Sequence, residues 1–386
     1  MAGRETMVLC EDGPGGGPAL FADASDIIVA HRISDVLPAL AALDRARAAG
    51  QWLAGYLTYE AGYALEPRLA PLAPPPGDAP LLAFGLYPGP HPAEALLARA
   101  AAEASTARIA PLRPRISQAE HADAMARVKA LIGAGDCYQI NLTFPIDTAL
   151  TEGTALGLYG ALRARQPVGH GGIADLGAGP LIISRSPELF VRLDAAGRID
   201  AAPMKGTAPR DPDPVRDAEL AEALRGSQKD QAENLMIVDL LRNDMSRIAR
   251  VGSVKVPELF AVRSFATLHQ MVSRVTGQLL EPATMETLMT ALFPCGSITG
   301  APKIRAMEII RAVEPFSRGA YCGALGWMAP DGSAAFNVMI RTLSLFDGGR
   351  ITLNVGGGVV QDSTAEGEWE EALWKARYLQ GLSRPA

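Results

Sequence analysis

Apolar and polar positions along this chain form short alternating runs separated by alanine-rich or amphipathic stretches. In the first ~115 residues, GGGPALFAD (15–23) and DIIVA (26–30) predict a hairpin, and 37–49 an alanine-rich helix. WLAGYLTYEAGYALEP (52–67) and LLAFGLYP (81–88) read as strands around the proline-rich loop PLAPPPGDAP (71–80), and 92–107 reads as a second helix. The prolines of APLRPRI (110–116) forbid regular helix and predict an extended connector. Ser117 and Glu120 then form a capping box that opens a helix ending at Gly133 and Gly135. CYQINLTFPI (137–146) alternates as a strand, and LIISRSPELFVRLD (181–194) gives two strands flanking a turn at Ser186 and Pro187. A polar stretch leads into the apolar helix NLMIVDLL (234–241). FNVMIRTLSLF (336–346) is an apolar strand, ITLNV (351–355) a strand running into glycines, and 366–379 a closing helix. Strands and helices are interspersed without strict βαβ alternation, so the expected fold class is α+β.

Composition narrows the function. With 386 residues, 48% of them hydrophobic, the chain can bury a large core, and large sheet-rich enzymes often fold as one unit. A formal charge of -6 argues against nucleic acid as a partner, because phosphate binding calls for a basic face. No apolar run approaches the roughly 20 residues of a membrane helix, and no hydrophobic signal segment opens the chain. The expected location is therefore the cytoplasm, with no membrane partner. Cys10, Cys137, Cys295 and Cys322 form no CxxC pair, and the five histidines no HxxxH, so a metal would sit on carboxylates.

Two acidic pairs have the right spacing for that. Asp230 and Glu233 share a helical face that continues into Ile237, Leu240 and Leu241, and Glu368 and Glu371 repeat the spacing beside Trp369, Leu373 and Trp374. Such pairs suit a hard cation with oxygen ligands, and equally suit two solvated helix starts at the positive end of the dipole. In PMKGT (203–207), Lys205 stands alone between proline and glycine. It is either an exposed turn lysine or an amine with lowered proton affinity, hence a nucleophile. Glu188 is either a turn carboxylate or a buried general acid. Gly356, Gly357 and Gly358 after a strand form either an anion-binding nest or a hairpin turn. GSITGAPK (296–303) lacks P-loop spacing, so no nucleotide is indicated. Arg341 in an apolar strand wants a carboxylate partner, from substrate or protein, and His269 is either a core histidine or a catalytic one.

The order of the longer motifs resembles the chorismate-utilising enzyme family. SPELF (186–190), PMKGT (203–207), AENLMIVDLLRND (232–244), LHQMVSRVTG (268–277), FPCGSITGAPKIRAMEII (293–310), YCGALGW (321–327), FNVMIRTL (336–343), NVGGGVVQDS (354–363) and EGEWEEALWKA (366–376) carry it. The likeness covers roughly 117–380, and GYLTYEAGYALEP (55–67) extends it more weakly. It implies a catalytic part over 117–386 and an amino-terminal part over 1–116 joined to the same unit. The implied fold is two sheets packed as a sandwich with helices outside and the site in a cleft between them.

The resemblance also implies roles. Glu233 and Glu371 would bind Mg2+, with Asp230 and Glu368 holding metal-bound water. Arg341, Tyr321 and the backbone of Gly356, Gly357 and Gly358 would grip the carboxylates of chorismate. Gly296, Ser297 and Thr299 would form a substrate wall with Lys303 nearby, and His269 would stand near the departing hydroxyl. Within the family, Gln139 occupies the place of the water-activating lysine of the isochorismate-forming branch. Lys205 with Thr207 in Pro-x-x-Gly-Thr resembles the aminodeoxychorismate-forming branch. There the lysine attacks carbon 2 of chorismate, Glu188 protonates the leaving 4-hydroxyl, and ammonia from a separate glutamine amidotransferase enters at carbon 4. Anthranilate or isochorismate formation, and a non-catalytic chorismate-binding relative, stay as rival readings.

Overall fold

The computed structural model describes residues 6–265 and 268–383. Two antiparallel sheets organise the chain. The first runs from Gly300–Ala301 through Gln139–Glu152, Arg350–Val359, Thr342–Leu345, Leu181–Ser184, Gly172–Asp175, Met7–Cys10 and Ala19–Ala22 to His91–Pro92. The second holds Leu189–Leu193, Ala334–Val338, Ala324–Met328, Trp52–Leu57, Leu82–Tyr87 and Asp26–Ala30. Its far side carries Arg198–Ala201, Met204–Pro209 and Lys255–Ser264, all paired with Leu268–Gln278.

Period-two alternation explains why both sheets are covered on both faces. In Trp52–Leu57, Leu53 and Leu57 enter a cluster with Val36, Leu40 and Leu43 of helix Ile33–Ala48, while Ala54 and Tyr56 face the other sheet. The layer between the sheets mixes small and large side chains, Ala54, Ala83, Ala174 and Ala335 against Phe21, Tyr87 and Trp327. Interdigitation of that kind is what lets two sheets approach closely. Outside, helices Glu94–Glu103 and Ala155–Arg165 pack Leu96, Ala100, Leu158 and Leu162 on the first sheet. Each such leucine, fully buried, contributes about 1.5–3 kcal/mol. The α+β sandwich is therefore as expected. Strands from the first 116 residues sit in both sheets, with Leu53 opposite Met328 and Val8 opposite Ala174.

The capping box at residue 117 forms as read. Ser117 Oγ accepts from Glu120 N at 3.2 Å, Glu120 Oε2 accepts from Ser117 N at 2.8 Å, and helix Gln118–Gly133 follows. Four other expectations are corrected in whole or in part, three because strands change partners over long range and the last because a strand runs on through its glycines. Ala19–Ala22 pairs with Met7–Cys10, whereas Asp26–Ala30 crosses to the second sheet beside Leu82–Tyr87; the chain swings through Asp23 at φ +56°. The two strands read in 181–194 are present, but no turn forms at Ser186 and Pro187: Leu181–Ser184 lies in the first sheet and Leu189–Leu193 in the second. Segment 336–346 is likewise two strands in two sheets, and Arg341, at φ +51°, stands in the crossing between them. Finally, Gly356, Gly357 and Gly358 continue strand Arg350–Val359, paired with Thr143, Leu142 and Asn141, and form neither a turn nor a nest.

The two crossings run side by side. Arg185 N donates to Arg341 O at 3.0 Å and Val338 N donates to Glu188 O at 3.1 Å. Between the sheets, the backbones of two distant segments, one carrying Glu188 and the other Arg341, are thus held side by side.

Candidate active site

A cavity of about 560 Å3 opens beside these crossings. Glu188 and Arg341 line it from the crossings, Lys205 and Thr207 from the edge strand Met204–Pro209, and Asp230 and Glu233 from the first turns of helix Gln228–Ser246. Glu368 and Glu371 come from helix Ala365–Trp374, Ser297 from the 3-10 turn Gly296–Ile298, Tyr321 from a loop, and Gly356, Gly357 and Gly358 from the strand floor. Residues more than 180 positions apart in sequence meet here.

The glycines act through closeness of approach. A Cβ on Gly358 would stand 2.4 Å from Gln139 Nε2 and 3.2 Å from Lys205 Nζ, and one on Gly357 would stand 2.6 Å from Glu368 Oε2. Gly206, at φ +79°, likewise leaves room for Asp230, whose Cβ and Oδ1 lie 2.8 Å from where a side chain would begin. A bare strand floor is what allows the lysine and the acids to crowd one space.

Burial sets the electrostatics. Glu188 is 5% exposed, and desolvation pushes its carboxyl up to about 7, despite a hydrogen bond from Ser297 Oγ at 2.8 Å and the nearby Lys205 charge. Near neutrality it is therefore about half protonated, where an ordinary glutamate is ionised. The Lys205 amine is held below the ordinary lysine range by desolvation, with Lys375 adding repulsion, although Glu233, Glu188 and Glu371 pull the other way. Desolvation also lowers Arg341, and among the described residues no carboxylate lies within salt-bridge reach of it. An unpaired guanidinium on a cavity wall is a ready receptor for an anionic ligand. Burial raises Tyr321 and Glu368 as well, the latter against a 2.7 Å hydrogen bond from Ser363.

The four acids of the two helices face one cavity but do not form a ready-made cage. Among the described residues, no three histidine, cysteine, aspartate or glutamate side chains converge closely enough to hold a metal. Instead Lys375 Nζ lies 2.7 Å from Glu371 and Lys229 3.9 Å from Glu233. Burial raises Glu233, and the neighbouring charges of Asp230 and Glu371 raise it further. All-oxygen donors that repel one another fit a small hard cation that keeps most of its waters and takes its remaining oxygens from a ligand.

Other candidate residues stand elsewhere. His269 points away from the cavity: strand alternation turns it to Ser264 Oγ at 2.8 Å and Asp217 Oδ1 at 2.9 Å, while its neighbours Leu268 and Gln270 line the cavity. Lys303 is tied to Asp244 at 2.6 Å and to Leu292 O at 2.8 Å. Thr299 donates back to Cys295 O and Gly296 O, and Gly296 packs under Leu240; none of the three faces the cavity. Conversely, Lys375, Asn141, Gln270 and Tyr378 line it without having been singled out. Lys375 had a signal, since it lies four residues after Glu371 on one helical face.

The model of the chorismate binding enzyme family matches residues 20–381. The chain belongs to that family. Its matched part is 42% identical over 270 residues to aminodeoxychorismate synthase component 1 of Escherichia coli K12, covering 70% of this chain and 59% of that protein. It is 39% identical over 272 residues to anthranilate synthase component 1 of Streptomyces coelicolor, covering 70% of this chain and 52% of that one. The matches thus span less than two thirds of these relatives. Among solved structures, anthranilate synthase component I from Streptococcus pneumoniae superposes with a TM-score of 0.75 at 24% identity, over 98% of this chain and 92% of that one, a likeness of fold. No helix among the described residues is long and apolar enough to cross a membrane.

Proposed function

We propose that this member of the family converts chorismate and ammonia into 4-amino-4-deoxychorismate. The observation that carries the reading is the meeting of Lys205 and Glu188 in one cavity, the amine with lowered proton affinity and the carboxyl still partly protonated near neutrality. The identity to aminodeoxychorismate synthase component 1 supports the same choice. Those two groups match the needs of the chemistry. The Lys205 nitrogen bonds to carbon 2, both conjugated ring double bonds shift one place toward carbon 4, and the carbon–oxygen bond at carbon 4 breaks as Glu188 gives its proton to the departing hydroxyl, which leaves as water. Ammonia then bonds at carbon 4, both double bonds shift back, and the carbon–nitrogen bond to Lys205 breaks. Glu188, now a carboxylate, takes the proton that ammonia sheds, so the site is restored.

Arg341 and Tyr321 would receive a substrate carboxylate on the wall away from the acids. Glu233 and Glu371, backed by Asp230 and Glu368, would hold Mg2+, whose charge would favour binding of the second carboxylate. The relatives' designation as component 1 supports a glutamine amidotransferase partner as the source of ammonia. The cytoplasm fits these substrates. The test is product analysis by mass spectrometry with chorismate, Mg2+ and ammonium salt, and again with an aminodeoxychorismate lyase added. Aminodeoxychorismate that becomes para-aminobenzoate only with the lyase is the expected result. Anthranilate or isochorismate as main product would overturn it.

A further inference from the structure

Lys205 reaches into the cavity from a strand that is not regular. Met204 pairs with Val272, yet Thr207 pairs with Gln270, so one extra residue is accommodated between them. The irregularity centres on Gly206 at φ +79°, next to the lysine. Among the described residues no hydrogen bond or salt bridge fixes Lys205 Nζ, so its aim is set by the backbone that carries it. That backbone is held from across the sheet by one side chain. Gln270 Nε2 donates to Gly206 O at 2.7 Å, and Gln270 Oε1 accepts from Thr207 Oγ1 at 3.3 Å. Gln270 also lines the cavity, whereas the adjacent His269 is turned outward to Asp217.

We infer that Gln270 is a positioning residue for Lys205: its amide spans the bulge by one donor and one acceptor bond and fixes the direction in which the lysine enters the cavity. An amide suits this task because it offers both hydrogen-bonding senses at fixed geometry and does not titrate. A histidine in the same place would carry either a donor or an acceptor at the reaching nitrogen, and its charge would change near neutral pH. Removing the amide leaves the Gly206 carbonyl without its cross-strand donor, and the bulge is then free to relax. Misplacement of a reacting group by about 1 Å costs on the order of 100-fold in rate.

The inference rests on Lys205 being the nucleophile, so the test separates the two. In Gln270→Met, which keeps length and volume without the amide, kcat for chorismate amination is expected to fall ~10- to 100-fold while KM stays within about threefold. Thr207→Ser, which keeps the hydroxyl donor, should lower kcat less than Thr207→Val does. Thr207→Val should lower it, and the Thr207→Val/Gln270→Met pair should lose less than the product of the single losses, because both remove the same clamp. Melting temperature, measured on each variant, should stay near that of the parent. Wild-type kcat in Gln270→Met, fully multiplicative losses, or a rate loss tracked by KM and melting temperature together would overturn the positioning role while leaving the nucleophile intact. Wild-type kcat in Lys205→Ala would overturn both.

Discussion

Arg185 and Glu188 lie three residues apart on one crossing, yet they belong to two opposite kinds of charged region. On the Arg185 side each charged group lies in an ion pair. Arg185, fully buried, pairs with Glu11 and donates to Gln166 O at 2.9 Å, Arg163 lies 3.2 Å from Glu11, and Asp12 is shared by Arg192 and by His170 at 2.8 Å. Burial works to raise Asp12, but the hydrogen bonds from His170 and Arg192 outweigh it and hold the carboxyl below its usual range. The cavity beside Asp12 and His170 measures about 10 Å3. On the Glu188 side, charges of both signs surround a void more than tenfold larger, floored by glycine, and the acid and the amine are shifted toward their neutral forms. The difference is one of satisfaction. Paired charges fill space and give rigidity, whereas underpaired charges around a void are held for something that arrives.

That contrast breaks most sharply at Glu188. Glu188→Gln removes the transferable proton and should cost ~10²- to 10⁴-fold in kcat, read by chorismate consumption under saturating ammonium. The same change should make the folded protein more stable at pH 8. Glu188 has a folded value near 7 against an ordinary 4.5, so between those values the native state binds more protons than the unfolded one. Stability therefore falls as pH rises through that window, by roughly 3 kcal/mol if Glu188 acted alone. Glu60, buried and also raised to about 7, adds in the same direction. Urea titrations at pH 5 and pH 8 should show a smaller loss in Glu188→Gln than in the parent; an equal loss would refute the assignment.

On the matched side, Glu11→Gln should do the reverse. It leaves Arg185 buried against a neutral amide and should destabilise the fold by about 3–5 kcal/mol, measured by denaturant unfolding. Because Glu11 does not line the cavity, kcat per folded molecule should change little.

How far the sequence foretold this arrangement depended on the range of the forces involved. The helix at 118 was legible because a capping box is a contact between residues three apart. The crossings at 185–188 and 339–341 were not, because the alternation of LIIS and LFVRL is the same whether the two strands share a sheet or not. Only the pairing of Leu181 with Leu345 and of Leu189 with Asn337 decides it. His269 and Gln270 illustrate the finer case. A one-residue shift in register exchanges which of them meets the cavity, and no local feature of LHQMVS fixes that register. The acids of the two helices were legible as spacing, whereas their convergence with Lys205 came only through the family's motifs. Lys375 was overlooked because its spacing to Glu371 reads first as an ordinary helix ion pair.

Filling the void tests the comparison from the other side. In Gly358→Ala, the new methyl would meet Gln139 Nε2 and Lys205 Nζ, so one or both must move. A strand tolerates alanine readily, so the fold should survive while kcat falls ~100-fold. Retained kcat would mean that Lys205 need not approach the strand floor.

The smallest effect expected is that of the cation. If Glu233 and Glu371 are held underpaired for Mg2+, millimolar Mg2+ should raise the melting temperature, since a ligand bound only by the folded state adds RT ln(1 + [L]/Kd), about 2.7 kcal/mol at one hundred times Kd. Glu233→Gln should abolish the increment. Lys375→Met should enlarge it, because Lys375 Nζ now sits 2.7 Å from Glu371 and competes for that carboxylate. Glu11→Gln, on the matched side, should leave it unchanged. An increment that persists in Glu233→Gln would move the cation off these helices, and the acids would then stand as partners of Lys205, Lys229 and Lys375 alone.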